Sequence, residues 1–328
     1  MSAEPVAAAA HAPKISAPIE ASAPPPRKPR MPALLRSMRP RQWVKNAFVL
    51  APLVFAGPEL LQTGRFTGGL LAQALLAAAA FCMASSATYL LNDLHDLQAD
   101  RQHPIKRLRP IAAGELSEQR AWTAFGVLLV VALGGAAALE LSLAGIVGLY
   151  FAINVAYSKG LKRIAYVDAA VIASGFLLRL LAGGEATGVH LSAWLIACTV
   201  LLALFLALGK RKHELLTSDA GHRSALQSYK LEHLNFALGV LAAATCGAYL
   251  SYTLDPTTRA RFHTDWLPYT TPLPVFGLLR FYGLLDNRET AASPTDRMLG
   301  DPPILVAAGL WAAVIAFLIY GARLGAAG

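Results

Sequence analysis

Long apolar stretches alternate with short polar ones along most of the chain, and their lengths set the fold class. Nine of them run approximately over residues 46–63, 68–91, 121–139, 141–157, 168–184, 191–209, 231–252, 266–285 and 303–322. Several approach the ~20 residues that a helix needs to cross the hydrocarbon of a bilayer. The pattern predicts an all-α, polytopic membrane protein built as a bundle of nine transmembrane helices. The eighth stretch is the least regular: Pro268, Pro272 and Pro274 interrupt its start, and Arg280 falls inside its end. Proline removes a helical hydrogen bond, so the boundaries of this segment are expected to shift by several residues.

Composition agrees. The chain of 328 residues is 55% hydrophobic and only 15% charged, which excludes an ordinary soluble domain and a disordered one. Residues 1–31 stand apart. They are rich in Ala, Pro and Ser, end in Pro24-Pro25-Pro26-Arg27-Lys28-Pro29-Arg30, and are expected to be a disordered tail ahead of a catalytic membrane domain over 32–328. The tail has no apolar core of a secretory signal. Between Arg36 and Asn46, Arg39, Arg41 and Lys45 alternate with Leu34, Leu35, Trp43 and Val44, a basic amphipathic piece suited to the lipid interface.

A formal charge of +9 raises the question of nucleic acid, but the basic residues sit between apolar stretches and not in a block on a polar domain. Alternate polar intervals carry 24 of the 29 Lys and Arg residues. By the positive-inside rule this places the N-terminus and the charged loops in the cytoplasm, and the C-terminus outside, in a plasma (inner) membrane. Lipid, not nucleic acid, is the expected partner. Cys82, Cys198 and Cys246 all lie in apolar runs and offer neither a disulfide framework nor a zinc pattern.

The chemistry concentrates after the second apolar stretch, in Asn92-Asp93-Leu94-His95-Asp96-Leu97-Gln98-Ala99-Asp100. On a continuous helix Asp93, Asp96 and Asp100 have i, i+3, i+7 spacing and project from one stripe. Three like charges at the negative pole of a long helix call for a cation. A hard divalent ion with phosphate oxygens completing its shell is one answer, and a solvated acidic helix end is the other. His95 and His103 read as structural, since imidazole is not what such an ion prefers.

Lys106, Arg107 and Arg109 follow at once, as a basic arm suited to a polyphosphate. Topology alone explains Arg109 equally well. A third loop carries Tyr157, Lys159 and Lys162 and ends at Asp168; Tyr157 and Lys162 either position a phosphate or sugar hydroxyl, or are an interfacial aromatic and a snorkelling base. Arg179 lies deep in an apolar helix, where a charge faces a buried partner or a polar cavity. After the sixth stretch comes Gly209-Lys210-Arg211-Lys212-His213-Glu214, followed by Asp219, Arg223, Tyr229 and Lys230.

Asn92, Asp93, Asp96 and Asp100 match in full the Asn-Asp-x-x-Asp-x-x-x-Asp signature of the UbiA-type intramembrane prenyltransferase superfamily, which the chain resembles. Where that superfamily has a second aspartate-rich loop, this chain has the basic run from Lys210, keeping Glu214 and Asp219. The departure resembles the decaprenyl-phosphate phosphoribosyltransferase branch, as do Arg39-Pro40-Arg41-Gln42-Trp43-Val44-Lys45-Asn46, His103-Pro104-Ile105-Lys106-Arg107-Leu108-Arg109-Pro110, Tyr157-Ser158, Leu178-Arg179 and Gly209-Lys210-Arg211.

The resemblance implies transfer of 5-phosphoribosyl from phosphoribosyl pyrophosphate to a polyprenyl phosphate, for arabinosyl lipid donor synthesis. It implies Mg2+, with Mn2+ as the alternative, on the catalytic residues Asp93, Asp96 and Asp100. Asn92 would hold ribose hydroxyls or the metal's waters. Lys210 and Arg211, with Glu214 beside them, would hold the 5-phosphate. Lys45, Arg41 or Arg179 would meet the lipid phosphate, and Lys106, Arg107, Tyr157 and Lys162 complete the substrate-binding set. The competing readings are a prenyltransferase acting on a prenyl diphosphate with an aromatic or lipid acceptor, and a polyprenyl-phosphate carrier. A homo-oligomer is compatible with each.

Overall fold

A computed structural model describes residues 31–217, 226, 228–286 and 297–321. Apart from Met31 the expected tail lies outside the described residues, as do Asp219 and Arg223. The described chain is all helical. Its long helices are α1 (Pro40–Gln62), α2 (Gly68–His95), α3 (Glu118–Leu139), α4 (Leu141–Lys159), α5 (Val167–Thr187), α6 (Ala193–Thr217), α7 (Leu231–Leu254), α8 (Pro272–Leu285) and α9 (Pro302–Gly321). Nine helices therefore stand where nine apolar stretches run, but eight of the described ones are long and apolar enough to cross a membrane.

The exception is α8, the segment that proline interrupts. Its 14 residues follow a 3-10 turn at Leu267–Thr270, and the two share the length expected of one helix. Polar residues set other boundaries. The Thr67 and Ser117 side chains accept from the third backbone amide beyond them, capping α2 and α3. The first turns of α1, Pro40–Leu50, are wound as a 3-10 helix, and Arg39 ahead of them has φ 55°.

Helix α5 is the most buried of the spanning helices and packs on α1, α2, α4 and α6. One apolar core joins Phe81 and Ala84 of α2, Ala132 and Ala136 of α3, Val147 of α4 and Ala182 of α5. A second joins Ala169 of α5 to Phe205, Leu238, Phe281 and Ile304 on α6 to α9. Small residues let helices approach closely where lipid removes the hydrophobic drive between them. The tightest approach is at Gly183, where an added Cβ would lie 1.9 Å from the Val49 carbonyl oxygen. Gly183→Ala is expected to cost about 1–3 kcal/mol through overpacking of α1 on α5, read as a lower thermal midpoint in detergent.

Ion pairs and hydrogen bonds join the ends of α2, α4 and α6 to the segments that open α1, α3, α5 and α7. The ion pairs described next gather at this one polar end.

Candidate active site

Two ionic clusters occupy the polar end. The first surrounds the end of α2. The helix stops at His95, Asp96 caps it with φ −88° and ψ 7°, and a short helix restarts at Leu97–Gln102. Leu94 and Leu97 pack with Leu90, Ile111, Leu116 and Ala121, pinning both sides of the break. The continuous stripe expected of the three aspartates is therefore not formed. Asp93 and Asp100 come together, both buried, and Asp96 diverges to lie 3.8 Å from Lys162 Nζ.

Arg109 bridges the buried pair. Its Nη1 is 3.1 Å from Asp93 Oδ1 and 2.6 Å from Asp100 Oδ2. Arg39 Nη2 donates to the same Asp93 oxygen at 2.6 Å, and its guanidinium lies over the Tyr89 ring at 4.7 Å. Asn92 is oriented by Ser158, whose hydroxyl donates to Asn92 Oδ1. Among the described residues no group of three or more His, Cys, Asp or Glu is placed to hold a metal ion. Of Arg39, Arg109 and Ser158, the sequence alone raises a ligand role for Arg109, where topology is an equally good explanation, and for neither of the others. The available signal was that both arginines precede a proline, Pro40 and Pro110, which restricts their backbone and fixes where they reach from.

The second cluster lies where α5 begins and α6 ends. Arg211 is almost wholly buried, with Nε 3.0 Å from Asp168 Oδ2 and Nη1 donating to Glu214. The Nε contact is an ion pair out of line for a hydrogen bond. Asp168 also accepts from the Tyr229 hydroxyl at 2.5 Å, and Tyr229 OH accepts from the Tyr166 amide at 2.7 Å. Burial, and then the Asp168 carboxylate it donates to, hold the Tyr229 phenol well above the ordinary tyrosine range, so it stays a donor. Tyr166 has φ 65°, a strained backbone of the kind that collects at functional sites.

Lys212, also buried, pairs with Asp286 at 2.7 Å and sits 4.3 Å from the Tyr282 ring centroid. Arg211, expected to touch a substrate phosphate, is thus turned inward onto Asp168 and Glu214. Lys210 is the base of this run that opens outward, its side chain 41% exposed and 3.9 Å from Glu214.

Arg179 is buried among neutral partners. Nε donates to Asn46 Oδ1 at 2.7 Å, Nη1 to the Gly175 carbonyl at 2.7 Å and Nη2 to Tyr150 OH at 3.2 Å. Tyr150, Phe81 and Phe176 ring the guanidinium. Among the described residues its partners are side-chain dipoles, a backbone carbonyl and π faces, with no carboxylate in a salt bridge to it. Of the remaining expected ligands, Lys106, Arg107 and Arg41 are exposed, while Lys45, Tyr157 and Lys162 are half-buried.

Beyond the ionic end, an apolar cavity of about 460 Å³ runs among the helices, lined by Phe48 and Phe55 of α1, Leu195 and Leu202 of α6, Tyr249 of α7 and Trp311 of α9.

Residues 49–299 match the UbiA prenyltransferase family. The chain belongs to that family. UbiA relatives include proteins named decaprenyl-phosphate phosphoribosyltransferase from Corynebacterium glutamicum, 33% identical over 88% of this chain and 86% of the relative, and from Mycobacterium tuberculosis, 36% identical over 86% of this chain and 92% of the relative. In fold the chain is similar to a UbiA homolog from Archaeoglobus fulgidus bound to GPP and Mg2+, with TM-score 0.64 and 20% identity over 88% of this chain and 99% of that one.

The signature carboxylates raise the question of a divalent ion here. Asp93 and Asp100 are two buried, hard oxygen donors spanned by one guanidinium nitrogen. This suits Mg2+, which takes one or two carboxylates and fills its shell with substrate phosphate oxygens and water. Asp93 and Asp100 thus offer a donor pair that fits such an ion.

Proposed function

We propose that the protein transfers 5-phosphoribosyl from phosphoribosyl pyrophosphate to a polyprenyl phosphate, feeding synthesis of an arabinosyl lipid donor. The observation that carries this is the pairing of an intact Asn92 to Asp100 site with a basic α6 end, in a chain that shares a third of its residues with relatives named for this activity. A lipid phosphate oxygen attacks C1 of the ribose, the bond from C1 to the pyrophosphate oxygen breaks, and pyrophosphate leaves.

The nucleophile arrives as an anion, so no general base is required. Asp93 and Asp100 would hold a divalent ion, which would supply charge neutralisation for the departing pyrophosphate. Asn92, with its amide orientation fixed by Ser158, holds the ribose hydroxyls. Lys106 and Arg107 extend from an exposed turn toward the pyrophosphate, and Tyr157 in the last turn of α4 and Lys162 in the α4–α5 connection flank the sugar. Lys210 binds the 5-phosphate, while Arg211, locked on Asp168 and Glu214, holds the run in position. Lys45 and Arg41 meet the lipid phosphate at the membrane edge. The polyprenyl chain lies in the apolar cavity behind Phe48. Orientation follows from charge: the ionic end faces the cytoplasm of a plasma membrane and the C-terminus lies outside.

The test is a purified preparation in detergent and lipid, given polyprenyl phosphate, labelled phosphoribosyl pyrophosphate and Mg2+, with label followed into the organic phase. Metal-dependent lipid label supports the proposal. Turnover of a prenyl diphosphate with an aromatic acceptor, without lipid label, overturns it in favour of prenyl transfer. Within the same assay Lys210→Ala is expected to raise the KM for phosphoribosyl pyrophosphate about tenfold or more, the loss of one charge-assisted contact, with little change in the KM for the lipid.

A further inference from the structure

The acidic site already holds cations of its own. Asp93 and Asp100 are counterbalanced one for one by Arg39 and Arg109, through contacts of 2.6, 3.1 and 2.6 Å. Adding a divalent ion to this set would set four positive charges against two buried carboxylates. In a partly dehydrated site that repulsion is poorly screened. A diphosphate brings the missing negative charge, and guanidinium groups pair with its oxygens as readily as with carboxylates.

We propose that Arg39 and Arg109 are resident counter-ions that keep a divalent ion off Asp93 and Asp100 until a diphosphate-bearing ligand arrives, when both guanidiniums pass from the carboxylates to the diphosphate. This rests on the metal-assisted reading given above. Three observations favour it.

The carboxylates are buried, but the arginines are not: the Asp93 side chain is 3% exposed, against 32% for Arg39 and 28% for Arg109. The cations therefore approach from the open side and can leave without repacking the core. Second, Arg109 Nη1 touches both carboxylates at once, standing where an ion shared by the two would stand. Third, Arg39 is held in a left-handed backbone conformation, φ 55°, directly before Pro40. A residue before proline strongly prefers extended geometry, so this conformation persists because the Asp93 pair and the Tyr89 ring hold it. Loss of the Asp93 contact removes one of those two anchors.

Such an arrangement couples two ligands. If the diphosphate draws the arginines away, it raises metal affinity, and by linkage the metal raises diphosphate affinity by the same factor.

The experiment uses the full-length protein in lipid nanodiscs with Mn2+ as the probe and no substrate, bound metal being read from loss of the free-ion electron paramagnetic resonance signal. Arg109→Gln is expected to bind Mn2+ about tenfold more tightly than the wild-type protein, Arg39→Gln to do so by a smaller factor, and Arg109→Lys, which keeps the charge, to behave as wild type. Adding Asp93→Asn to Arg109→Gln is expected to abolish the gain. Arg39→Gln leaves Arg109 bridging the buried pair, so the test stands even where Arg109→Gln fails to fold. A second measurement is retention of labelled phosphoribosyl pyrophosphate in metal-free buffer by equilibrium dialysis, expected to fall about tenfold in Arg109→Gln.

Equal Mn2+ affinity in the wild type and both neutral variants overturns the counter-ion role. Unchanged retention of the diphosphate overturns the handover. Neither outcome depends on lipid labelling, which tests the reaction separately: labelling with unaltered Mn2+ affinities sinks the inference and leaves the reaction standing.

Discussion

Asp93→Asn is expected to lower phosphoribosyl transfer by about 10²–10³-fold, with the protein still folded by circular dichroism and gel filtration. The magnitude follows from losing a preorganised charge in a water-poor site, where single groups aimed at a developing charge are worth about 10²–10³ in rate. Asn keeps the volume and one oxygen but removes the charge that both Arg39 and Arg109 address. It therefore weakens the hold on a metal and on the two guanidiniums together. Asp96→Asn supplies the contrast. That carboxylate is partly exposed and its one cation is 3.8 Å away, so screening already discounts it. A loss of about tenfold is expected there, at the scale of one modest ion pair. Equal losses at the two positions would mean that Asp96 swings in to complete a three-carboxylate site once ligands bind.

The helices were readable because lipid imposes a simple rule, an apolar run of about twenty residues between charged breaks, and eight of the nine stretches obey it. The shortened α8 was foreshadowed by its three prolines. The break at Asp96 was not. Nothing between Asn92 and Asp100 is Gly or Pro, and local preference alone would carry the helix through. What bends the chain is long-range: Arg109 gathers Asp93 and Asp100, and the leucines beside them bury against α3 and its approach. Charge was legible at Arg179 and Arg211, and the groups that satisfy it were not. A sequence shows that Arg179 is costly in a membrane without showing that Asn46, Tyr150 and a carbonyl satisfy it. Likewise the basic run at α6 reads as an open phosphate site until Asp168, over forty residues earlier in the chain, is found beneath Arg211.

Removing the charge of Arg211 is expected to destabilise the protein by about 3–5 kcal/mol, because the buried Asp168 would lose its cation. Arg211→Met, followed by thermal or denaturant unfolding in mixed micelles, measures it. Asp168→Asn should cost less. It leaves Arg211 with Glu214 as a counter-ion and keeps an oxygen for the Tyr229 hydroxyl. The double variant Asp168→Asn with Arg211→Met buries no unpaired charge, and it should regain at least half of what Arg211→Met loses. Kinetics of the double variant then separate the two uses of this cluster. If Arg211 only holds the α6 end in place, the double variant binds phosphoribosyl pyrophosphate nearly as the wild type does, since Lys210 remains on the open face. A restored fold with a KM raised tenfold or more would instead make Arg211 a direct ligand that turns outward when the 5-phosphate arrives, and Asp168 the group that holds it until then.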